Sequence, residues 1–64
     1  MRLFYDPNIS PSDSIFQLSE DESKHIIKVF RMSEGDAVGL LNGKGDHFET
    51  VITAANPKRC QVKV

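Results

Sequence analysis

The spacing of apolar residues changes near residue 35, and this change constrains the fold more than any other feature of the sequence. Residues 20–31 follow a helical period, whereas residues 37–64 follow a period of two, which is typical of strands with one buried face. The chain therefore predicts a mostly β domain that contains one helix.

The helical segment carries both a start and a stop signal. Residues 19–22 read Ser-Glu-Asp-Glu, a capping box in which the serine hydroxyl accepts from the last glutamate's amide and that glutamate reaches back to the serine amide. We expect a helix from about Glu20 to Phe30 or Arg31. The Ser-Glu-Gly-Asp segment at 33–36 follows as the stop, because glycine tolerates positive φ.

Short strands are expected on both sides of this helix. Two precede it, and three follow it as an antiparallel meander whose first turn carries an Asn-Gly hairpin signal. The expected strands are residues 2–5, 15–18, 37–41, 46–55 and 58–64. Short strands, tight turns and one helix predict a small β-barrel in which the α-helix plugs one opening.

Alternation within the meander predicts which side chains face the core. The residues expected on the inner face are Phe48, Ile52, Ala54, Cys60, Val62 and Val64. Those expected on the outer face are His47, Glu49, Thr53, Arg59, Gln61 and Lys63.

Length and composition limit what this domain can be. A chain of 64 residues forms one domain with a small core, and its single cysteine, Cys60, excludes an internal disulfide and a cysteine-based metal site. No segment resembles a signal peptide or a membrane span, so we expect a soluble cytoplasmic domain. The last strand pattern runs to the final residue, and we expect the chain to be a piece of a longer protein.

The helical wheel predicts how the helix meets the core. At 100° per residue, Ile26, Val29 and Phe30 fall within one stripe, and we expect this stripe to be buried.

A group of cations is expected on the opposite side of the helix. Lys24, Lys28 and Arg31 share that side, and His25 lies between it and the apolar stripe. Such cations can hold successive phosphates, and an imidazole can donate to phosphate or stack on a base of single-stranded RNA. The alternative is an ordinary solvated face, in which Glu20 is spaced to neutralise Lys24. Because the chain has eight basic and nine acidic residues, nucleic-acid binding would require such a local patch.

Other candidate sites are weaker. The Asn-Gly-Lys-Gly loop at 42–45 resembles a phosphate-binding loop in composition, but no helix follows it and a plain hairpin turn is favoured. His25 and His47 have no ligand partner nearby in the sequence, so we expect no metal site. A catalytic triad that includes Ser19 is rejected because its hydroxyl caps the helix.

Four motifs occur together in a specific order. They are Met-Arg-Leu-Phe-Tyr at the start, His-Ile-Ile-Lys-Val-Phe-Arg-Met at 25–32, Gly-Asp-Ala-Val at 35–38 and Leu-Asn-Gly-Lys-Gly at 41–45. Their order and spacing resemble the N-terminal domain of the ribosomal RNA small subunit methyltransferase E family across all 64 residues. Phe30 stands where the family usually has leucine, and Asn42 where aspartate is common; both changes preserve the local role.

This resemblance implies a PUA-like β-barrel that docks on small-subunit rRNA. In the family a larger, knotted SPOUT domain follows, binds S-adenosylmethionine, forms the homodimer and methylates N3 of a uridine in 16S rRNA. We therefore expect residues 1–64 to be an N-terminal RNA-binding domain, without catalytic residues, cofactor-binding residues or enzymatic activity of its own. The full-length protein is expected to be an S-adenosylmethionine-dependent rRNA methyltransferase.

The family pattern also selects residues for RNA contact. Arg2, His25 and Arg31 match its polar positions, and the secondary candidates are Lys24, Lys28 and Lys44. The competing hypothesis is a stand-alone β-barrel that binds another protein through its open strand edges.

Overall fold

The computed structural model describes residues 2–64, which form five strands and one helical segment. The strands are β1 (Arg2–Tyr5), β2 (Ile15–Gln17), β3 (Ala37–Leu41), β4 (His47–Ala54) and β5 (Gln61–Lys63). The helical segment begins as α1 (Glu20–Lys24) and continues without a break as a π-helical turn (His25–Val29). The mostly β architecture is confirmed, and each expected strand is present. Within residues 2–64, the helical segment is too short to cross a membrane.

The strands form one mixed sheet in the order β1-β3-β4-β5-β2. The antiparallel meander β3-β4-β5 is confirmed, with β2 added antiparallel to β5. β1 runs parallel to β3, and Arg2 pairs with Val38 while Tyr5 pairs with Leu41. β1 and β2 therefore stand at opposite ends of the sheet.

A buried carboxylate joins the regions where these two strands end. Asp6, which follows β1, is 1% exposed, and its Oδ2 accepts from the backbone N–H of Ser19 at 3.1 Å. Its Oδ1 accepts from the backbone N–H of Asn8 at 3.1 Å, and its own N–H donates to the Leu41 carbonyl at 3.0 Å. Asp6 thus ties the end of β1 to both β3 and the start of the helix.

The expected inner face of the meander is largely confirmed. Phe48, Ile52, Cys60 and Val62 are buried, and the core also includes residues from β1, the segments on either side of β2, the helical segment and β3. Those additional core residues are Phe4, Ile9, Leu18, Ile26, Val38 and Leu40. The residues expected outward are all exposed.

Two inner-face predictions fail at the end of the sheet. Val64 is 48% exposed, because β5 ends at Lys63 and Val64 only donates its N–H to the Ser14 carbonyl at the edge. Ala54 is half-buried, because the pairing of β4 with β5 shifts register between Ile52 and Ala54.

The β3–β4 hairpin has a five-residue loop, since Leu41 pairs with His47. Its Asn42 is buried, not exposed in a two-residue turn, and only the two loop glycines have positive φ. The Asn42 amide donates to the Ile9 carbonyl and to the Asp46 carboxylate, while its oxygen accepts from the Lys44 and Asp46 N–H groups. The side chain organises the loop from inside.

The capping box is half confirmed. The Ser19 hydroxyl accepts from the Glu22 N–H at 3.3 Å, as predicted. The Ser19 N–H, however, donates to Asp6 and not to the Glu22 side chain. The Asp6 carboxylate, which is distant in the sequence, therefore takes the place of the Glu22 carboxylate in the predicted capping box. The Ser-Glu-Asp-Glu motif is local and could not indicate this partner.

The helix ends earlier than predicted and buries a different stripe. The Phe30 N–H donates to the His25 carbonyl at 3.0 Å, five residues back, so the last turn is wider than an α-helical turn. A wider turn invalidates the 100° wheel beyond Lys24. Ile26 is fully buried as expected, but Val29 is 60% and Phe30 37% exposed.

The buried stripe instead combines the fully buried Ser23 and Ile26 with the partly buried Ile27 and Met32. Arg31, just after the helix, has φ of 54°. Gly35 has the expected positive φ of 94°, but it lies in the turn before β3 and not at the helix end.

Candidate nucleic-acid interface

Basic side chains are presented to solvent throughout the described chain. Every Lys, Arg and His from residue 2 to residue 64 is exposed. None of the side-chain hydrogen bonds among these residues uses a cationic group. Their donors are therefore available to a ligand.

Arg2, His25 and Phe30 form a cation–aromatic cluster. The Arg2 guanidinium carbon lies 4.5 Å from the centroid of the Phe30 ring, in cation–π geometry. The His25 and Phe30 ring centroids are 5.6 Å apart with a tilt of 51°. Phe4 supports this group from the core, 5.4 Å from Phe30 and edge-on to it. The wide helical turn and β1 together build this cluster.

The cluster combines planar groups with free hydrogen-bond donors. A guanidinium held against a ring keeps its N–H donors directed outward, and both guanidinium and imidazole planes can stack on unpaired RNA bases. The predicted sites Arg2 and His25, 23 positions apart in the sequence, are thus brought together. Phe30, predicted to be core, is the residue that joins them, and only its exposure in the structure reveals this role.

Arg31 follows Phe30 and projects from a left-handed backbone conformation. It is the single non-glycine residue with positive φ among residues 2–64. This conformation costs an L-residue roughly 1 kcal/mol, which glycine would avoid. The exposed Arg31 side chain is therefore held at this position at some cost in stability. It lies beyond the helix, so the predicted alignment with Lys24 and Lys28 on one helical face is wrong.

Lys24 and Lys28 belong to a second basic surface. They line a groove of about 180 Å³ together with Glu20, Pro57 and Lys58, which we call the lysine groove. Glu20 shares the groove with Lys24, but no ion pair within 4.0 Å links them. Sequence reasoning did not find Lys58, because its approach to the helix depends on the packing of the β4–β5 loop.

Lys44 is separate from the cluster. It lies in the loop after β3, whereas Arg2 lies beside the beginning of β3, because β1 and β3 are parallel. Tyr5 covers this loop, since a Cβ on Gly43 would meet the Tyr5 ring at 2.9 Å.

Burial lowers the reactivity of Cys60, the single cysteine of the chain. Cys60 is fully buried, and desolvation raises the pKa of its thiol, which favours the neutral, unreactive form. In the described part of the chain, no three His, Cys, Asp or Glu side chains converge as metal ligands would.

Comparison with known proteins identifies the domain. Residues 18–64 match the model of the RNA methyltransferase PUA domain. A probable rRNA methyltransferase from Porphyromonas gingivalis is 44% identical over 100% of this chain, with a TM-score of 0.83. A putative methyltransferase from Legionella pneumophila, in complex with S-adenosylmethionine, is 26% identical over 95% of the chain, with a TM-score of 0.86.

A third structure shares the fold at lower identity. The ribosomal RNA small subunit methyltransferase E of Neisseria gonorrhoeae, bound to S-adenosylmethionine, is 22% identical over 98% of the chain, with a TM-score of 0.85. The chain spans about a quarter of the length of these proteins: 26%, 25% and 26%, respectively. The resemblance and the PUA-like fold predicted from the sequence motifs are confirmed, and the chain belongs to the RNA methyltransferase PUA domain family.

Proposed function

We propose that this chain is the RNA-binding N-terminal domain of a 16S rRNA (uracil-N3)-methyltransferase. In this proposal it positions small-subunit rRNA, in the cytoplasm, for S-adenosylmethionine-dependent methylation by a C-terminal domain of the same protein. That C-terminal domain would form the homodimer and supply the chemistry.

The single observation that carries the RNA-binding role is the cation–aromatic cluster. It places a guanidinium and an imidazole on one exposed ring, and none of their donors is used within residues 2–64. Membership in an RNA methyltransferase domain family supports RNA as the ligand of this surface. Similarity to proteins crystallised with S-adenosylmethionine supports that cofactor for the full-length protein.

The domain's contribution is binding and orientation. Cations next to phosphates supply affinity that decreases with salt, whereas planar groups that stack on bases select unpaired nucleotides. In the full-length methyltransferase, loss of such contacts would raise the KM for rRNA more than it lowers kcat, because the reacting atoms are elsewhere.

The test is a titration of the chain with 16S rRNA fragments at two salt concentrations. We expect binding that weakens as salt rises and is reduced by Arg31→Ala and by Arg2→Ala. Lys63→Ala is the control, because Lys63 is an exposed cation on β5 outside both surfaces. Absence of RNA binding by the wild-type chain at low salt would refute the proposal.

The alternative function, a protein-interaction module, has its own structural support. Leu3, Tyr5 and Leu41 are 57%, 54% and 38% exposed, and Tyr5 and Leu41 are paired across β1 and β3. This apolar surface lies beside the free edge of β1, where a partner strand could pair. A chain that binds no RNA but self-associates or captures a protein through this edge, in a manner lost on Leu3→Glu, would favour the alternative.

A further inference from the structure

The lysine groove has two walls that are held at a fixed separation. One wall is the helix, and the other is the loop between β4 and β5. The fully buried Ser23 joins them, because its hydroxyl accepts from the Cys60 N–H at 2.9 Å. Within the loop, the Asn56 side chain accepts from the Lys58 and Arg59 N–H groups at 2.8 and 3.1 Å. The position of Lys58 opposite the helix is therefore built into the fold.

The charges that line the groove favour the binding of an anion. Lys24, Lys28 and Lys58 line it with a single carboxylate, that of Glu20, and no ion pair within 4.0 Å forms among the described residues. Like charges gathered around one space repel each other, and a bound anion removes that repulsion. Ammonium groups on flexible stems bind phosphate as compact point charges.

The size of the groove limits the ligand to part of a larger molecule. Its volume of about 180 Å³ is below the roughly 300 Å³ at which pockets for whole small molecules begin. A phosphate with its adjoining sugar is a unit of suitable size, and the lysine stems and the ring of Pro57 offer apolar surface to the sugar.

Glu20 adds an acceptor that phosphate binding does not need. A carboxylate beside a phosphate site weakens anion binding unless it accepts a hydrogen bond from the same ligand. The ribose 2′-hydroxyl is a donor next to the phosphate in RNA and is missing in DNA.

We propose that the lysine groove binds one ribose–phosphate unit of RNA. Lys24, Lys28 and Lys58 contact the phosphate oxygens, and Glu20 accepts from the ribose 2′-hydroxyl. This inference rests on the proposed function for the identity of the polymer, and it adds Lys58 and Glu20 to the binding surface together with a preference for RNA over DNA.

The experiment is an NMR titration of the ¹⁵N-labelled chain with a short single-stranded RNA, the same sequence as DNA, and inorganic phosphate. We expect RNA to shift the amide signals around the groove, DNA to bind several-fold more weakly, and phosphate at equal concentration to cause little change. Lys58→Ala is expected to reduce RNA affinity several-fold and to lower the salt slope by about 0.7, the value for one contact with a single strand. Lys63→Ala, the matched control, leaves both unchanged.

Glu20→Ala tests the sugar contact separately. It removes a solvent-exposed side chain in the first helical turn, and we expect it to abolish the preference for RNA over DNA without weakening DNA binding. Retention of the full RNA preference in this variant would overturn the role of Glu20.

The outcomes separate this proposal from the proposed function. If wild-type chain binds RNA but Lys58→Ala behaves like Lys63→Ala, the groove proposal is wrong and the RNA-binding function stands. If inorganic phosphate shifts the groove as strongly as RNA, the groove is a general anion site and the RNA assignment is wrong. If wild-type chain binds no RNA, both proposals fail.

Discussion

The cation–aromatic cluster and the lysine groove use the same helical segment in different ways. In the cluster, a guanidinium and an imidazole lie against the Phe30 ring, so the two planar groups have defined orientations. In the groove, ammonium groups on flexible stems surround a space and make no hydrogen bond within residues 2–64. The first arrangement suits contacts that depend on base planes, and the second suits phosphates, which are the same in every sequence.

The two surfaces also differ in what holds them. The cluster depends on the contact of β1 with the end of the helix, through Phe4 and Phe30. The groove depends on the contact of the helix with the β4–β5 loop, through Ser23. We therefore expect that each surface can be altered while the other is kept, and that a change at the start of the helix affects both.

The largest effect is expected for Asp6→Ala. This change leaves the Ser19 and Asn8 N–H groups without their charged acceptor, at a cost of about 3 kcal/mol. Thermal denaturation followed by circular dichroism should show a melting temperature lower by more than about 12 °C. Asp21→Ala, at an exposed position in the same helix start, is the control. A melting temperature equal to that of the control would show that Asp6 does not join β1 to the helix.

Ser23→Ala should affect the groove and spare the cluster. The buried Cys60 N–H loses its acceptor, and we expect a loss of about 2 kcal/mol in the free energy of unfolding. The amide signals of Lys58 and its neighbours should shift in NMR spectra, while those around Phe30 stay in place. Ser14→Ala, an exposed serine without a side-chain hydrogen bond among residues 2–64, is the control. Equal shifts around Phe30 would mean that the two surfaces are not independent.

Arg31→Gly should separate binding from stability at the residue that follows Phe30. Glycine adopts positive φ without strain, so the variant should gain up to about 1 kcal/mol of stability in urea denaturation. The lost guanidinium should weaken RNA binding at the same time. Arg31→Ala, which keeps the strain, should weaken binding equally without the gain in stability. An Arg31→Gly chain that is less stable than the wild type would contradict the strain at this residue.

Phe30→Leu should weaken the cluster by a smaller amount. It introduces leucine, the residue that the ribosomal RNA small subunit methyltransferase E family usually has at this position. It also removes the cation–π contact between Arg2 and Phe30, which contributes about 0.5–1 kcal/mol. We expect lower affinity for single-stranded RNA and an unchanged salt slope, since no phosphate contact is lost. Lys28→Ala is the comparison, because it should lower the salt slope. A change in slope for Phe30→Leu would show that the cluster holds phosphate and not a base plane.

The smallest effect is the pH dependence of Cys60. Burial raises the pKa of this thiol, so the contribution of the neutral thiol to the free energy of unfolding is complete below the unfolded-state pKa. That contribution decreases as pH rises through the folded-state pKa. Urea denaturation should show an additional loss of stability above about pH 8.5, the ordinary pKa of a cysteine. In Cys60→Ala this part of the pH dependence should disappear. Identical profiles for the two chains would show that the thiol is accessible to water.

Local patterns in the sequence were sufficient to predict the secondary-structure elements of this fold. The strands, the Ser19 cap and the alternation of Phe48, Ile52 and Val62 were all predicted, because each depends on residues near one another in the chain. The family motifs extended this to the domain family, because they occur in a fixed order along the chain.

Tertiary structure decided where the candidate site lies. Four features decided it, and each involves a partner distant in sequence or a departure from the α-helical period. They are the wide turn after Lys24, the exposure of Phe30, the approach of Lys58 to the helix and the hydrogen bond that the Asp6 carboxylate accepts from Ser19. A helical wheel assumes one period and no neighbours, so it placed Lys24, Lys28 and Arg31 on one face. In the folded chain, Lys24 and Lys28 line the lysine groove, whereas Arg31 follows the helix in a left-handed backbone conformation.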